Sequence, residues 1–266
     1  NHRIQQFTAE GVFIRMWGSA GADEGAFSFP QGITIATDGR VYVADSDNNR
    51  IQQFTAEGVF IRMWASSGLA KEQFNFPQAM SITADGSVYV ADADNHRIQQ
   101  FTAEGLFIRM WGSEGVAEGA FNYPSGITVA TDGSVYVSDA GNNRIQQFTA
   151  EGMFIRMWGS AGVAEGAFSV PKGITVAADG SVYVADTWNH RIQQFTAEGM
   201  FIRMWGSEGF DERQLKFPQD ISIAPDGTVY VVDSRIQQFT SEGVFIRSLG
   251  SKGSAEGQFK IGRAHV

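Results

Sequence analysis

Apolar and polar positions recur along this chain with a fixed period. The stretch RIQQFTAEGVFIRMW, from Arg3 to Trp17, holds two short apolar-rich runs on either side of a Thr-Ala-Glu-Gly turn. Further copies open at Arg50, Arg97, Arg144, Arg191 and Arg235, so that four intervals are 47 residues long and the last is 44. A period of this length predicts an array of one supersecondary unit rather than a chain of separate domains.

One complete repeat predicts four short strands, which we label a to d. Alternating apolar and small polar residues, β-branched and aromatic runs, and the hairpin signal Asp38-Gly39 all favour an antiparallel meander. The predicted strands are Gly32–Ala36 for a, Val41–Ala44 for b, Arg50–Phe54 for c and Val59–Trp64 for d.

A longer loop follows strand d and leads to the Phe-Pro that opens the next strand a. Each sheet would be apolar on both faces, so it must be covered by copies of itself. Radial stacking around an axis is the arrangement that does this for such repeats. The pattern therefore predicts a β-propeller.

The phrase from Pro171 to Gln193 resembles the NHL repeat, and the resemblance extends over residues 1–260. NHL propellers of the bacterial type usually have six blades. The resemblance thus implies an all-β fold, a six-bladed-type β-propeller of four-stranded antiparallel blades. This chain would hold an incomplete copy, with five full blades plus an outer half blade.

We expect residues 1–260 to form a single propeller domain. The half blade is predicted at 1–17 and the full blades near 29–64, 76–111, 123–158, 170–205 and 217–250. The tail 261–266 breaks the repeat and is interpreted as non-native.

We interpret the chain as a fragment, because it starts inside a repeat and lacks strands a and b for the blade to which residues 1–17 belong. We expect those strands to lie beyond Lys260, because in this family one end of the chain commonly supplies the inner strands of the blade that the other end begins. An exposed blade face and strand edge would favour self-association through the open blade.

Composition and charge reduce the range of functions that the chain could have. The net charge is −9 and the sequence pI is about 4.9, which does not favour nucleic acid as a partner. The absence of cysteine excludes disulfides and thiolate chemistry, and no apolar run is long enough for a membrane span. The compartment stays open; a bacterial extracytoplasmic location is our expectation, although no signal peptide is visible in this sequence.

An aspartate closes each strand b and an arginine opens each strand c. We predict that each couple forms a structural ion pair across the b–c turn, since a buried carboxylate without a partner is costly. The predicted pairs are Asp45 with Arg50, Asp92 with Arg97, Asp139 with Arg144, Asp186 with Arg191, and Asp233 with Arg235.

Histidines and glutamates recur in the loops, where they could bind metal ions or cap turns. Three histidines precede strand c in alternate blades, too far apart to share one ion, so we expect them to cap turns: His2, His96 and His190. One glutamate recurs in each d–a loop, and the alternatives are local capping or a calcium-binding acidic rim: Glu24, Glu72, Glu118, Glu165, Glu212 and Glu256. We predict no metal and no cofactor, with calcium at this rim as the alternative.

In propellers the b–c turns and d–a loops share the usual ligand face, and here they also differ most between repeats. Positions after the strand-a proline predict the channel mouth, where Lys172 and Asp220 bring charge and Trp188 offers a stacking surface. The ligand-face candidates are Gln31, Gln78, Ser125, Lys172, Trp188, Gln219 and Asp220.

We therefore predict a non-catalytic scaffold that binds a protein or an extended polymer on this loop face. The alternative is a propeller enzyme, a lyase or a metal-dependent lactonase, as found among relatives of the family. RNA binding, known for some NHL domains, is the second alternative. No catalytic residue is nominated, because no central cluster of proton-shuttling groups is visible in the sequence.

Overall fold

The computed structural model describes residues 1–259, so the predicted tail at 261–266 lies outside the described residues. The strands are β1 Ile4–Phe7, β2 Phe13–Trp17, β3 Pro30–Ile35, β4 Val41–Asp45, β5 Arg50–Phe54, β6 Phe60–Trp64, β7 Ser66–Ser67, β8 Gln73–Phe74, β9 Pro77–Ile82, β10 Val88–Asp92, β11 Arg97–Phe101, β12 Phe107–Trp111, β13 Pro124–Val129, β14 Val135–Asp139, β15 Arg144–Phe148, β16 Phe154–Trp158, β17 Pro171–Val176, β18 Val182–Asp186, β19 Arg191–Phe195, β20 Phe201–Trp205, β21 Asp220–Ile223, β22 Val229–Val232, β23 Ile236–Phe239, β24 Phe245–Leu249, β25 Ser251–Lys252 and β26 Gln258–Phe259. Turns of 3-10 helix occupy Ala93–Asn95, Ala140–Asn142 and Thr187–Asn189. Within the described residues no helix has the length and hydropathy needed to cross a membrane.

Most of the described chain forms five antiparallel sheets of four consecutive strands, as the meander pattern predicts. We call them blades 1 to 5: β3 to β6, β9 to β12, β13 to β16, β17 to β20, and β21 to β24. In blade 1 the predicted strand c is confirmed at Arg50–Phe54, whereas strand a begins two residues before its predicted start, at Pro30. Gly39 closes the a–b turn with φ of +86°, a left-handed conformation that glycine adopts without steric cost.

Burial differs systematically across a blade. Strands b and c of blades 1 to 4 are buried at every residue, whereas strand d alternates between half-buried and exposed positions. In strand d of blade 1, Phe60 packs on Phe54 of its own blade and Trp64 packs on Phe101 of blade 2, while Ile61 and Met63 are 36% and 43% exposed. Strand d therefore forms the outer rim of the molecule.

The hydrophobic core lies between blades rather than inside any one of them. One buried cluster joins Tyr42 and Ile51 of blade 1 to Val88, Val90 and Phe101 of blade 2, and similar clusters join each later pair of blades. The prediction that each sheet is covered by copies of itself is confirmed by these clusters, and the fold is a β-propeller.

The two-stranded sheet of β1 and β2 lies between blade 5 and blade 1. Trp17 packs on Phe54 of blade 1, with ring centroids 6.2 Å apart. On the other side, Leu249 of blade 5 covers Gly11, and Arg247 Nη2 donates to the Ala9 carbonyl at 2.8 Å. The predicted outer half blade is thus present as β1 and β2. The described residues form five complete blades, so the six complete blades of the expected type are not present in them.

Arg62 of strand d in blade 1 reaches the neighbouring blade. In blade 1, Arg62 is half-buried and its Nη1 donates to the Glu104 carbonyl in the c–d turn of blade 2, at 3.3 Å. This side chain therefore links neighbouring blades.

The a–b and c–d turns lie together at the end of the blades opposite the d–a loops, and this end is acidic. The Thr149 hydroxyl of the c–d turn in blade 3 accepts hydrogen bonds from the amides of Glu151 and Met153, at 3.2 and 3.3 Å. Hydrogen bonding to this hydroxyl and to its own amide lowers the pKa of Glu151, and Thr196 lowers the pKa of Glu198 in the same way.

We predict that Thr149→Val raises the pKa of Glu151 toward that of an ordinary glutamate, while the pKa of Glu198 stays lowered as an internal control. The folded-state pKa of Glu151 lies below its unfolded value. The hydrogen bond therefore contributes stability above the unfolded pKa, and this contribution is lost as pH falls through the folded pKa. A pH titration of the side-chain carboxyl signals by NMR measures both groups, and an unchanged Glu151 pKa would contradict this account.

Candidate binding face

The b–c turns and the d–a loops meet at one end of every complete blade. In blade 1, Asn48 Nδ2 donates to the Gly21 carbonyl at 2.9 Å and the Asp47 amide donates to the Ser28 carbonyl at 3.1 Å. We call this end of the molecule the loop face.

In blades 1 to 4 a buried ion pair holds the d–a loop in place. Asp45 is fully buried, and its Oδ2 lies 2.7 Å from Nε of Arg50. The other guanidinium nitrogens of Arg50 donate to the carbonyls of Ala22, Asp23 and Ala26 in the preceding d–a loop. The same ion pair is present at 2.6 to 2.7 Å in blades 2, 3 and 4, between Asp92 and Arg97, Asp139 and Arg144, and Asp186 and Arg191.

Burial makes this arrangement sensitive to the loss of either partner. Desolvation raises the pKa of Asp92, while hydrogen bonds from the Asn75 amide, Asn95 and Arg97 act to lower it. Desolvation outweighs these donors, so the carboxylate is buried at a cost that its hydrogen bonds and Arg97 offset only in part.

Blade 5 departs from this pattern, because its repeat is three residues shorter in the b–c turn. Asp233 and Arg235 contact each other through the backbone: the Arg235 amide donates to Asp233 Oδ1 at 2.9 Å. Nε of Arg235 is buried without a hydrogen-bond partner. The predicted side-chain ion pair is replaced here by a tight turn.

The residue before strand c joins each blade to the next. His96 is in the left-handed conformation, and its Nδ1 accepts a hydrogen bond from the Tyr123 amide at 3.1 Å. Asn143 Oδ1 accepts the equivalent bond from the Val170 amide at 2.8 Å. Histidine and asparagine alternate at this position because both tolerate the turn and both present an acceptor.

Acidic side chains stand apart on the loop face. All six glutamates of the predicted rim are exposed, each in its own loop: Glu24, Glu72, Glu118, Glu165, Glu212 and Glu256. In residues 1–259, no group of three or more histidine, aspartate and glutamate side chains is placed to hold a metal ion. The calcium alternative stays a prediction.

Of the seven predicted ligand-face residues, two in blades 2 and 3 are buried. Gln78 Nε2 donates to the Tyr123 hydroxyl at 2.7 Å, and Ser125 Oγ donates to the Pro171 carbonyl at 3.0 Å. Gln31 of blade 1 is half-buried. The five strands a line a central cavity of about 90 Å³, well below the roughly 300–1,000 Å³ of ordinary ligand pockets.

The other four predicted residues lie in one sector, on blades 4 and 5. Lys172 Nζ donates to Gln219 Oε1 at 2.7 Å, next to Asp220, and Gln219 Nε2 donates to the Phe217 carbonyl at 2.9 Å. The Phe217 ring in turn meets the edge of Trp188 at 6.3 Å.

Three further side chains extend this sector. The His190 ring lies 4.4 Å from the Phe217 ring, and Lys216 Nζ lies 4.8 Å from the centre of the Phe210 ring. We call Trp188, His190 and Phe217 the aromatic cluster; Phe210 and Lys216 form a separate pair in the d–a loop that leads into blade 5.

The sequence analysis named Trp188 but missed Phe210, the other exposed aromatic side chain of this sector, although a comparison of the repeats reveals it. Phe210 occupies a loop position where the other complete blades have alanine, leucine or valine. Trp188 likewise replaces the aspartate or glycine of the earlier blades. Two aromatic replacements in neighbouring loops of a near-identical array mark a sector with its own chemistry.

The NHL repeat matches four stretches of this chain, 27–54, 74–101, 121–148 and 168–195, each running from a d–a loop to the end of a strand c. The chain belongs to the NHL-repeat family. No curated protein matches its sequence.

Solved structures resemble this NHL propeller in fold at low identity. A Bacteroides thetaiotaomicron protein of unknown function is 16% identical, with a TM-score of 0.72, and the match covers 94% of this chain and 69% of that one. The inactive H270A virginiamycin B lyase from Staphylococcus aureus with quinupristin is 18% identical, with a TM-score of 0.64 and 96% and 75% coverage. A chain of a nidogen/laminin complex is 16% identical, with a TM-score of 0.65 and 82% and 79% coverage.

We predict that Arg97→Met lowers the free energy of unfolding of this NHL propeller by about 3–5 kcal/mol, because it leaves the Asp92 carboxylate buried without its partner. Arg235→Met is the matched control, since Arg235 has no such pair, and should cost less than half as much. Denaturant unfolding curves of the two variants measure the difference. Equal losses would show that the ion pair is not what holds the loop.

We also predict that Trp188→Ala changes the free energy of unfolding by less than about 0.5 kcal/mol, because this side chain is 62% exposed. Trp205→Ala should cost about 3 kcal/mol, since Trp205 packs between Tyr183 and Phe239. The same unfolding experiment compares them. A large loss in Trp188→Ala would make this tryptophan a structural residue rather than a surface one.

Proposed function

We propose that this protein is a non-catalytic binding scaffold, which holds a protein or an extended polymer against its loop face. The observation that carries the proposal is the aromatic cluster on blades 4 and 5. In this cluster Trp188 is 62% exposed and Phe217 is 39% exposed, and Phe210, in the d–a loop that leads into blade 5, is also 62% exposed. Large exposed aromatic side chains grouped together are typical of interaction sites and of the anchors within them.

The neighbouring d–a loops add apolar contact points around the same face. The residue at the tip of each loop in blades 2 to 4 is about three-quarters exposed: Leu69, Val116 and Val163. A ligand that extends from the aromatic cluster across several blades would meet one of these tips in each, and repeated weak contacts along one ligand combine into tight binding.

Charge favours a protein partner over RNA. Each loop tip is followed within three residues by an exposed glutamate, as Val116 is followed by Glu118 and Val163 by Glu165. Carboxylates repel the phosphates of nucleic acid and attract lysine and arginine. The ligand that fits best is a polypeptide segment with apolar residues flanked by basic ones.

The structural neighbours are consistent with either a binding or an enzymatic role. The nidogen/laminin structure is a complex between proteins, which supports a propeller as a binding module. The H270A variant of virginiamycin B lyase is catalytically inactive, so that enzyme depends on a histidine. In this chain Nδ1 of His96 and Nδ1 of His190 each accept a hydrogen bond from a backbone amide of the next blade, which supports a structural role for both histidines.

We further propose that the disc presenting this face has six blade positions. Gln5 of β1 contacts the loop after blade 5 as Gln99 of blade 2 contacts its own: the two Nε2 atoms donate to the carbonyls of Gln258 and Gln73, at 3.0 and 2.7 Å. His2 accepts a hydrogen bond from the Phe29 amide as His96 does from Tyr123. The half blade thus has the neighbours of a sixth blade on both sides.

The binding proposal can be tested by selecting peptides from a random library on the purified chain. We expect selected peptides to combine apolar and basic residues, and to bind Trp188→Ala at least ten-fold more weakly by fluorescence anisotropy. Met200→Ala is the matched control, because Met200 is 63% exposed but lies at the opposite end of the molecule. Its binding should equal that of the parent chain.

Two results would contradict the proposal. Peptides that lose affinity in Met200→Ala and keep it in Trp188→Ala would place binding elsewhere. Turnover of quinupristin or of a lactone panel by the same protein, with or without divalent cations, would favour the lyase or lactonase alternative.

A further inference from the structure

We infer that four methionines of strand d are modification sites, which a hydroperoxide oxidises to the sulfoxide and whose new oxygen the arginine of the buried ion pair binds. They hold one equivalent position in blades 1 to 4: Met63, Met110, Met157 and Met204. We call them the strand-d methionines. The inference is independent of the ligand proposed for the loop face.

Each strand-d methionine completes the hydrogen bonding of a guanidinium, which carries five N–H donors. In blade 3 the fifth donor, on Nη1 of Arg144, reaches Sδ of Met157 at 3.0 Å. The other four donors of Arg144 reach oxygen atoms, those of the Asp139 carboxylate and of the Val116, Ala117 and Ala120 carbonyls. The contact between Nη1 and sulfur measures 3.0, 3.5 and 3.1 Å in blades 1, 2 and 4.

Sulfur is the weakest of these five acceptors. A thioether accepts hydrogen bonds poorly, whereas the oxygen of a sulfoxide carries partial negative charge. Hydrogen bonds from an ionised donor are the strong ones when the acceptor is good, and Arg144 is only 6% exposed. One donor of a buried cation therefore has a poor partner in the methionine and a good one in its sulfoxide.

The strand-d methionines are open to solvent, although their arginines are not. Met63, Met157 and Met204 are each 43% exposed, and Met110 is 48% exposed. Oxidation of methionine to the sulfoxide makes an apolar side chain polar, which a core does not tolerate but an exposed strand does. A peroxide can thus reach these side chains from outside while the guanidinium stays inside the blade.

Blade 5 links the methionine to the ion pair. There the Arg235 amide donates to Asp233 in place of a side-chain pair, and Ser248 holds the position of the methionine. The preceding residues of this strand are unchanged, Phe245, Ile246 and Arg247. Among the five complete blades, methionine is therefore present where the ion pair is present and replaced where the pair is replaced.

The reaction is a two-electron oxygen transfer. A lone pair of the sulfur attacks the terminal oxygen of a hydroperoxide ROOH, so that an S–O bond forms and the O–O bond breaks. The proton of the hydroperoxide moves to the departing oxygen, which leaves as ROH. The sulfur is oxidised and the hydroperoxide is reduced.

The arginine makes this reaction asymmetric. Its N–H occupies one lone pair of the sulfur, so the oxygen adds to the other lone pair from the solvent side. One of the two sulfoxide epimers therefore forms in excess. Rotation about the bond between Cγ and Sδ then brings the new oxygen to Nη1, where it replaces sulfur as the acceptor.

Mass spectrometry after treatment of the native chain with hydrogen peroxide tests the inference. Cleavage after arginine places each strand-d methionine at the start of its own peptide, whereas Met153 and Met200 share the peptide IQQFTAEGMFIR. These two are 62% and 63% exposed in c–d turns and serve as the matched control. We expect the strand-d methionines to reach at least about half the conversion of the control, while Met80, which is 6% exposed, stays reduced.

The epimer ratio is the readout that depends on the arginine. Epimer-specific reductases applied to the digested peptides should show about a three-fold or larger excess of one epimer at Met63, Met157 and Met204. The excess should be smaller at Met110, where the contact is longer, and absent in the control peptide. Arg144→Lys should bring the ratio at Met157 close to one and leave that at Met204 unchanged.

Stability gives a second measurement. Denaturant unfolding should show the same or a higher midpoint after oxidation, because a stronger acceptor replaces sulfur on each guanidinium. If Arg144→Lys does not fold, the epimer ratios of the parent chain oxidised with and without urea decide, since unfolding removes the donor.

Any of four outcomes would overturn the inference. Strand-d methionines that stay reduced until Met80 reacts would be closed to peroxide in the folded chain. Epimer ratios near one at all four sites, or equal ratios with and without urea, would remove the role of the arginine. A lower unfolding midpoint after oxidation would show that the guanidinium does not bind the sulfoxide.

Discussion

The structure depends on one constraint: a four-stranded sheet that is apolar on both faces has to be covered on both. Strands b and c are buried at every position in four blades, and the buried clusters are shared between neighbours, such as Tyr42 and Ile51 with Val88 and Phe101. A blade therefore has no complete core of its own. Burial of apolar area contributes roughly 25 cal/mol per Å², so a neighbour on each side is a large part of a blade's stability.

A second, local constraint follows at the loop end. In blades 1 to 4 the carboxylate that closes strand b is buried and pairs with a guanidinium that also binds carbonyls of the d–a loop, as Asp45 does with Arg50. This network occupies the polar groups at the base of every loop. Variation between repeats is left to the exposed tips, which is where Trp188 and Phe210 have replaced smaller or polar residues. The residues shared by the repeats therefore hold the loops in place, and the tips that vary between repeats are available for binding.

The repeat period and the strands that are apolar on both faces predicted the blades, most strand bounds and the Asp–Arg pairs of blades 1 to 4. These features depend on contacts that recur from repeat to repeat. The sequence misled where an exception decided the geometry. A turn shortened by three residues replaces the predicted Asp233–Arg235 side-chain pair. The aromatic cluster depends on which loops become neighbours, and a pattern read within single repeats does not contain that information.

Native-state hydrogen exchange, resolved strand by strand, tests the central claim most directly. If each blade depends on neighbours at both sides, amides of strands b and c in blades 2, 3 and 4 should exchange most slowly. Those of β1, which pairs with β2 alone in the described residues, and of β22 and β23, which have only the half blade on one side, should exchange faster by at least ten-fold. Equal protection across all five blades and the half blade would contradict the claim, because each sheet would then be stable without the cover of the next.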